Sequence, residues 1–233
     1  METKSLPNQA ALKCMCCRYP IECYYNRARL RLHAMLKLYG GLSIKQQVYG
    51  IEISQNGLYP TQCCMPVGPK DTFAVAKSPN SHQKRISKAT LNAFSALAAK
   101  FIPATAFANF DEYFDYVASE AVKSKVLVNG KSLLVYDYCL RAGYSIGLVP
   151  KDYVYLFCGA REGAKAVLHR SALAGKYRVP TKDLQTALGT TSLSSMEIED
   201  FLCVCEIPLK YQATVGAGMA CPSGGCGSVS GQP

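Results

Sequence analysis

The chain has 233 residues, of which 49% are hydrophobic and 18% are charged, so it is long and apolar enough to fold around a core. No uncharged apolar run reaches the ~18 residues that a membrane-spanning helix needs. The first 20 residues are interrupted by Lys4, Lys13 and Arg18, unlike a signal peptide. These features exclude a wholly disordered chain and predict a soluble, cytoplasmic protein.

The net charge of +10 is unevenly distributed along the chain. Residues 1–108 contain 14 Lys and Arg against 4 Asp and Glu, whereas residues 109–233 contain 12 of each, so the whole excess lies in the first half. A one-sided basic field attracts polyanions, nucleic acid first and acidic lipid or protein surfaces next. A solvated basic face without a partner is the alternative.

The first 80 residues form a basic, cysteine-containing region that predicts one helix and one β-hairpin. Apolar residues at three- and four-residue steps predict a helix over 21–39, which the glycine pair Gly40–Gly41 ends. Alternating apolar residues over 48–53 predict a strand, and residues 72–76 predict a second strand that returns beside it.

The rest of the chain predicts a compact bundle of short helices. Side chains of the types that cap helices precede several apolar patterns, at Asn109, Ser132, Thr181 and Ser194. The predicted helices cover residues 84–101, 109–126, 132 to 143 or 147, 163–169, 181–188 and 194–204. The expected fold is therefore mainly α with a small β-hairpin in the N-terminal half, a helical domain over 81–210 and a flexible Gly/Ser/Cys tail over 211–233.

The 12 cysteines do not have the spacing of a small secreted disulfide framework. In a reducing compartment such thiols behave as small hydrophobic groups, and we expect most of them to be free. Cys14 and Cys17 have the Cys-x2-Cys spacing of a zinc half-site, so a structural zinc is the second interpretation. The residues that would complete it are among His33, Cys23, Cys63 and Cys64. No other cofactor is predicted.

Residues 155–168, Tyr-Leu-Phe-Cys-Gly-Ala-Arg-Glu-Gly-Ala-Lys-Ala-Val-Leu, form the most distinctive segment. We expect Gly159 to end a short element and a helix to follow from Gly163, with a glycine-containing turn between them. Glycines let a backbone approach a phosphate closely, and Arg161 and Lys165 would add charge-assisted hydrogen bonds. The alternative is helix packing, in which the two glycines, one turn apart, let two helices approach.

This segment, followed by Val-Pro-Thr-Lys-Asp at 179–183, resembles the helix-hairpin-helix element of the DNA-glycosylase superfamily, in which a Gly-x-Gly turn holds a DNA phosphate. The resemblance implies that Gly163 corresponds to the second glycine, Lys165 to a nucleophilic lysine and Asp183 to a downstream aspartate. Arg161 and Glu162 stand where the first glycine and its neighbour belong. The same run is also similar to one in a group of uncharacterised bacterial proteins, and that similarity implies no activity.

Nucleic-acid binding, of DNA in particular, is the function that these features favour. The turn at 159–165 would supply a backbone contact. An interaction module that docks on an acidic protein, with a modified or recognised Gly/Cys tail, is the alternative. A DNA-glycosylase-like enzyme that uses Lys165 and Asp183 is a third, less favoured hypothesis. Phosphate contacts are expected from Arg27, Arg29, Arg31, Lys84, Arg85 and Lys88.

Other enzymatic chemistry is not indicated by the sequence. It contains three histidines, no serine or cysteine in a recognisable nucleophile turn, and no phosphate-binding glycine loop after a strand. The carboxylates of Asp111, Glu112 and Asp115 are interpreted as helix-start residues rather than as an acid/base pair.

Overall fold

A computed structural model describes residues 24, 29–54, 72–75, 83, 85–206 and 209–210, without the side chains at 30–31, 51–54 and 72–75. These residues are mainly helical, which confirms the predicted fold class. Within these ranges, none of the helices combines the length and the hydropathy that crossing a bilayer requires.

The described residues form nine α-helices and two antiparallel pairs of short strands. The strands are β1 (Ile51–Ser54), which pairs with β2 (Thr72–Val75), and β3 (Tyr153–Tyr155), which pairs with β4 (Arg178–Pro180). The helices are α1 (Arg29–Tyr39), α2 (Ile44–Tyr49), α3 (Lys88–Ala98), α4 (Phe110–Lys123), α5 (Leu133–Tyr144), α6 (Cys158–Val167), α7 (Arg170–Leu173), α8 (Thr181–Leu188) and α9 (Ser195–Val204).

Polar caps determine where α4 and α9 begin. The Asn109 side chain accepts a hydrogen bond from the Glu112 amide at 2.9 Å, which satisfies a backbone donor that lacks a partner within α4. At the start of α9 the Ser194 amide and hydroxyl both donate to the Glu197 carboxylate, each at 2.7 Å. Both predicted helix starts are confirmed.

Two other helix starts differ from the prediction. The helix expected from residue 84 begins at Lys88, because the Ser87 hydroxyl accepts a hydrogen bond from the Thr90 amide and caps it there. Thr181 does not cap α8 as predicted. It is the first residue of that helix, and its hydroxyl lies 2.8 Å from the Ser195 hydroxyl, which ties the start of α8 to the start of α9.

One hydrophobic core joins α1 and α2 to the helices of the bundle. Leu36, Tyr39 and Val48 are at most 2% exposed and belong to the same cluster as Leu91 and Phe94 of α3 and the inner side chains of α4 and α5. Burying a side chain of this size stabilises the fold by about 1.5–3 kcal/mol. The basic N-terminal helices therefore share a core with α3, α4 and α5.

The predicted N-terminal hairpin is confirmed, because β1 and β2 pair antiparallel. The strand begins later than expected, since Val48 lies in α2 rather than in β1. Ser43 caps α2, and the Gln46 side chain accepts a hydrogen bond from the Ser43 amide at 3.0 Å. This capping box starts a helical turn immediately before the strand, which apolar alternation alone does not reveal.

A second core lies between α6 and α9. Ala160 and Ala164 of α6 are fully buried against α9, and a Cβ added to Gly163 would lie 2.1 Å from the Leu202 carbonyl oxygen. The prediction of a break at Gly159 is wrong, because α6 runs through both glycines without interruption. The helix-packing interpretation of the two glycines is confirmed.

The strand pair β3–β4 was not among the predicted elements. Val154 and Val179 lie opposite each other and are at most 2% exposed. Each strand has three residues, which is too short for an alternating pattern to identify. The pair connects the segment after α5 to the start of α8, and so positions α8 beside α9.

Candidate nucleic-acid interface

Helices α1, α2 and α3 carry no acidic residue. The sequence has no Asp or Glu between Glu22 and Glu52, or between Asp71 and Asp111. The exposed lysines of these helices therefore have no acid on their own helix, which favours attraction of an external anion. Five exposed cations in this region form no ion pair with any described residue: Lys37, Lys45, Arg85, Lys88 and Lys100.

Three of these cations are brought together where α2 and α3 pack. The Lys45 ammonium lies over the Tyr49 ring, 5.7 Å from its centroid, and the Tyr49 hydroxyl donates to the Asn92 side chain at 2.7 Å. Lys88 is one helical turn before Asn92, on the same face of α3, and Arg85 is exposed just before that helix begins. We call Lys45, Arg85 and Lys88 the α2–α3 basic face.

Five of the 12 cations in residues 109–210 are paired with acids. The others include five exposed cations that form no ion pair with a described residue: Lys125, Lys151, Arg170, Lys176 and Lys182. Arg141 donates to Asp137 at 3.1 Å and to the Gln47 carbonyl at 2.8 Å, and its side chain is 6% exposed. A buried cation of this kind cannot bind an external anion without losing its acidic partner. The other ion pairs in this part of the chain are more exposed: Lys123–Glu120, Lys165–Glu162, Arg178–Asp111, Arg178–Asp115, Lys210–Glu162 and Lys210–Glu206.

The predicted phosphate-binding residues fall into three groups. Arg85 and Lys88 lie on the α2–α3 basic face. Arg29 is paired within the fold, because its Nε donates to the Glu197 carboxylate at 2.5 Å. The remaining residues of that prediction, and those of the zinc half-site, lie outside the described side chains: Arg27, Arg31, Lys84, Cys14 and Cys17.

The residues predicted to form a phosphate-binding turn lie within α6. Gly159 and Gly163 face α9, and the amides of the later part of α6 are used within the helix. Arg161 donates to the backbone carbonyls of Lys176 and Leu173, at 2.5 and 3.0 Å, and so holds the chain after α7. The structure therefore provides no glycine turn here, and the contacts of this segment are those of packed helices.

The two residues of the glycosylase hypothesis make no contact with each other. The exposed Lys165 ammonium hydrogen-bonds Glu162, three residues earlier on α6. Asp183 is exposed in the first turn of α8, where the positive end of the helix dipole stabilises its negative charge. Both side chains are exposed, and they lie on different helices.

A buried carboxylate, Glu197, connects α1 to α9. Its side chain is 3% exposed, and it accepts hydrogen bonds from Arg29, from His33 Nε2 at 2.7 Å and from Ser194. Burial raises the pKa of Glu197, but the hydrogen bonds from Arg29, His33 and Ser194 outweigh burial and lower the pKa to about 2. The carboxylate is therefore ionised at neutral pH.

The same histidine extends this network to α5. His33 Nδ1 lies 2.7 Å from the Tyr144 hydroxyl, so a carboxylate, an imidazole and a phenol are joined in one row. The His33 side chain is 30% exposed and Tyr144 is half-buried, so the outer end of the row reaches solvent.

A second carboxylate on α9, Glu199, has the opposite surroundings. It is buried, it receives no hydrogen bond from any described residue, and burial raises its pKa well above the ordinary value, helped by the nearby charges of Asp200 and Asp137. The Tyr136 hydroxyl is also buried without a hydrogen-bond partner among the described residues.

Sequence reasoning identified Glu197 only as a helix cap and His33 only as a possible zinc ligand. The sequence does not reveal their shared role, because the contact between His33 and Glu197 joins residues 164 positions apart. One local signal is present in the sequence, because Arg29, His33 and Lys37 recur at four-residue steps on one face of α1.

Among the described residues, no three His, Cys, Asp or Glu side chains are grouped so that they could hold a metal ion. The zinc half-site at Cys14 and Cys17 stays a prediction, since it lies outside the described part of the chain. Comparison of the chain with protein-family models, with curated proteins and with solved structures found no match.

Proposed function

We propose that the protein binds nucleic acid, DNA in particular, through the α2–α3 basic face. The observation that carries this proposal is that Lys45 and Lys88 lie on two packed helices without an acidic residue, with Arg85 just before the second of them. Cations arranged in this way neutralise phosphates and release condensed counterions, which is the main source of sequence-independent affinity for nucleic acid.

The chemistry of this face favours phosphate contacts over base recognition. Lys45 and Lys88 are flexible point charges, and Asn92 between them can donate its side-chain amide to a phosphate oxygen. A contact set of this kind positions a strand without reading its sequence. We therefore expect binding that depends steeply on salt and weakly on base sequence.

The proposal is tested by fluorescence anisotropy with a labelled random-sequence DNA duplex. Changing Lys45, Arg85 and Lys88 together to Gln removes three phosphate contacts, and we expect the slope of log affinity against log salt to become shallower by about 3. The titration is made between about 50 and 200 mM KCl, where counterion release changes affinity most visibly.

A matched control removes three positive charges that are already paired with acids. Lys123, Lys165 and Lys210 changed together to Gln give the same net charge as the first triple variant. Equal weakening by the two triple variants would show that total charge, rather than the α2–α3 basic face, controls affinity. A salt-independent affinity of the wild type would reject nucleic-acid binding.

Competition with polyglutamate separates nucleic acid from an acidic protein partner. Both polymers present repeated negative charges, but only nucleic acid presents phosphates at the linear density that gives a large counterion release. DNA displaced by an equal charge concentration of polyglutamate would favour the interaction-module hypothesis instead.

A further inference from the structure

The row Tyr144–His33–Glu197 has a defined direction of hydrogen bonding. The ionised Glu197 carboxylate can only accept, so His33 Nε2 carries the hydrogen that it donates across 2.7 Å. In a neutral imidazole the other nitrogen, Nδ1, must then accept, and the group within reach is the Tyr144 hydroxyl at 2.7 Å. The phenol is therefore aligned to give its proton to His33.

This arrangement matches the geometric signature of an activated nucleophile. A hydroxyl lies within hydrogen-bond distance of a base, and the base is oriented by a third group, which here is a buried carboxylate. Arg29 donates to the same carboxylate oxygen as His33, so Glu197 stays ionised and fixed. In this row Glu197 and Arg29 act as positioning residues.

A cation stands beside the exposed end of the row. Lys37 is one helical turn after His33 on the same face of α1, is exposed, and has no partner among the described residues. The C-terminal ends of α1 and α5 are in close contact, since a Cβ on Gly40 would lie 2.8 Å from the Ser145 Cβ. Tyr144 and Lys37 therefore border the same surface, where Lys37 would attract a phosphate.

We propose that Tyr144 is a catalytic nucleophile that transfers a nucleic-acid phosphodiester to its own hydroxyl oxygen, a step that rests on the proposed nucleic-acid binding. The Tyr144 Oη–phosphorus bond forms, the ester bond from phosphorus to the departing sugar oxygen breaks, and the phenol proton passes to His33 Nδ1. The departing oxygen takes a proton from water, and His33 returns its proton to solvent. The step needs no oxidant, reductant or second substrate.

A base is necessary because the phenol stays protonated on its own. Burial, followed by the charge of Glu197, raises the pKa of Tyr144 above its ordinary value. The hydroxyl is therefore a weak nucleophile until His33 accepts its proton, and positioned bases of this kind contribute about 10²–10⁴-fold in rate.

The test is the detection of a covalent protein–DNA adduct that survives SDS. The full-length protein is incubated with supercoiled plasmid and with single-stranded oligonucleotides labelled at either end, and the adduct is measured as a shifted band. We expect an adduct on wild type, its loss in Tyr144→Phe, and formation that is at least about 100-fold slower in His33→Gln. Mass spectrometry of the wild-type adduct should place the phosphate on Tyr144, whatever the stability of the variants.

Tyr153→Phe is the matched control, because Tyr153 is a half-buried phenol that stacks on Arg178 and has no histidine contact. This variant should form adduct at the wild-type rate. An adduct that persists in Tyr144→Phe, or a wild type that binds DNA by anisotropy without forming any adduct, overturns the nucleophile. A wild type that does not bind DNA overturns the proposed function as well, so the two failures are distinguishable.

Discussion

The exposed cations of α2 and α3 and the paired cations of the later helices have different surroundings. Lys45 and Lys88 are exposed on helices without acids, whereas Arg178 is three-quarters buried, hydrogen-bonded to Asp111 at 3.0 Å, and stacked over the ring of Tyr153 at 4.8 Å. Both regions are rich in Lys and Arg. The charge of Lys45 and Lys88 faces solvent, whereas the charge of Arg178 joins elements of the fold.

This difference shows that a charge count alone overestimates a binding surface. Arg29 lies in the acid-free part of the sequence, yet its partner is Glu197, which comes from the far end of the chain. A cation that is paired in this way contributes to stability, and one that is unpaired contributes to attraction of an external anion. We therefore expect substitutions in the two regions to separate stability from binding.

The largest expected effect concerns the packing of α6 on α9. Gly163→Ala would place a methyl group 2.1 Å from the Leu202 carbonyl oxygen, which is backbone and cannot rotate away. We expect the free energy of unfolding to fall by more than about 3 kcal/mol, measured by urea denaturation.

Gly159→Ala is the control for that substitution. Its nearest neighbour is the Cys203 sulfur at 2.7 Å, which is a side-chain atom that can move. The loss should therefore be clearly smaller than for Gly163. Equal losses, or none at Gly163, would contradict the close packing on which the second region depends.

The next largest expected change in stability concerns Glu197, which connects α9 to Arg29 and His33 of α1. Its pKa is about 2 in the folded protein and about 4.3 in an unfolded chain, so the folded state binds fewer protons and stability is lost as pH falls through this range. The stabilisation is fully present above about pH 5 and amounts to about 3 kcal/mol.

Glu197→Gln should remove this contribution at pH 7 and have little further effect near pH 2. Urea unfolding at both pH values measures the difference. A variant whose loss of stability is the same at both pH values would show that the ion pairs with Arg29 and His33 do not stabilise the fold.

Glu199 is expected to make a smaller contribution to stability, with a pH dependence opposite to that of Glu197. Burial, then Asp200 and Asp137, raises its pKa, so the folded state holds a proton that the unfolded chain releases above about pH 4.3. Stability is therefore lost as pH rises from that value through the folded pKa. Glu199→Gln removes the charge, and we expect a gain of about 1 kcal/mol at pH 8 that shrinks toward pH 5. A gain that does not grow with pH would show that Glu199 is solvated.

Local sequence signals predicted the parts of the fold that local interactions determine. The caps at Asn109 and Ser194 act within three residues, and the hairpin follows from alternation in two short segments. The break predicted at Gly159 was wrong because the intrinsic preference of glycine was outweighed by close packing on α9, which is a contact between distant parts of the chain.

The site could be predicted from the sequence only in part. Lys88 and Arg85 were identified because charge composition is visible in the sequence, and their exposure fits that expectation. The pairing of Arg29 and the row from Glu197 to Tyr144 were not, because their partners are more than 100 positions apart. Composition can locate an excess of charge, but only tertiary contacts decide which cations remain unpaired.

The smallest expected changes are those of two single substitutions, one at a paired arginine and one at an unpaired arginine. Arg161 was expected to contact phosphate, but it donates to the Leu173 and Lys176 carbonyls, so Arg161→Gln should lower the free energy of unfolding by about 1 kcal/mol and leave DNA affinity unchanged. Arg85→Gln should do the reverse, with stability unchanged within about 0.5 kcal/mol, because Arg85 is exposed and has no partner among the described residues. Urea unfolding and anisotropy on the same two variants give four measurements. If Arg161→Gln weakened DNA binding as much as Arg85→Gln, α6 would belong to the interface, and pairing within the fold would not decide which cations bind DNA.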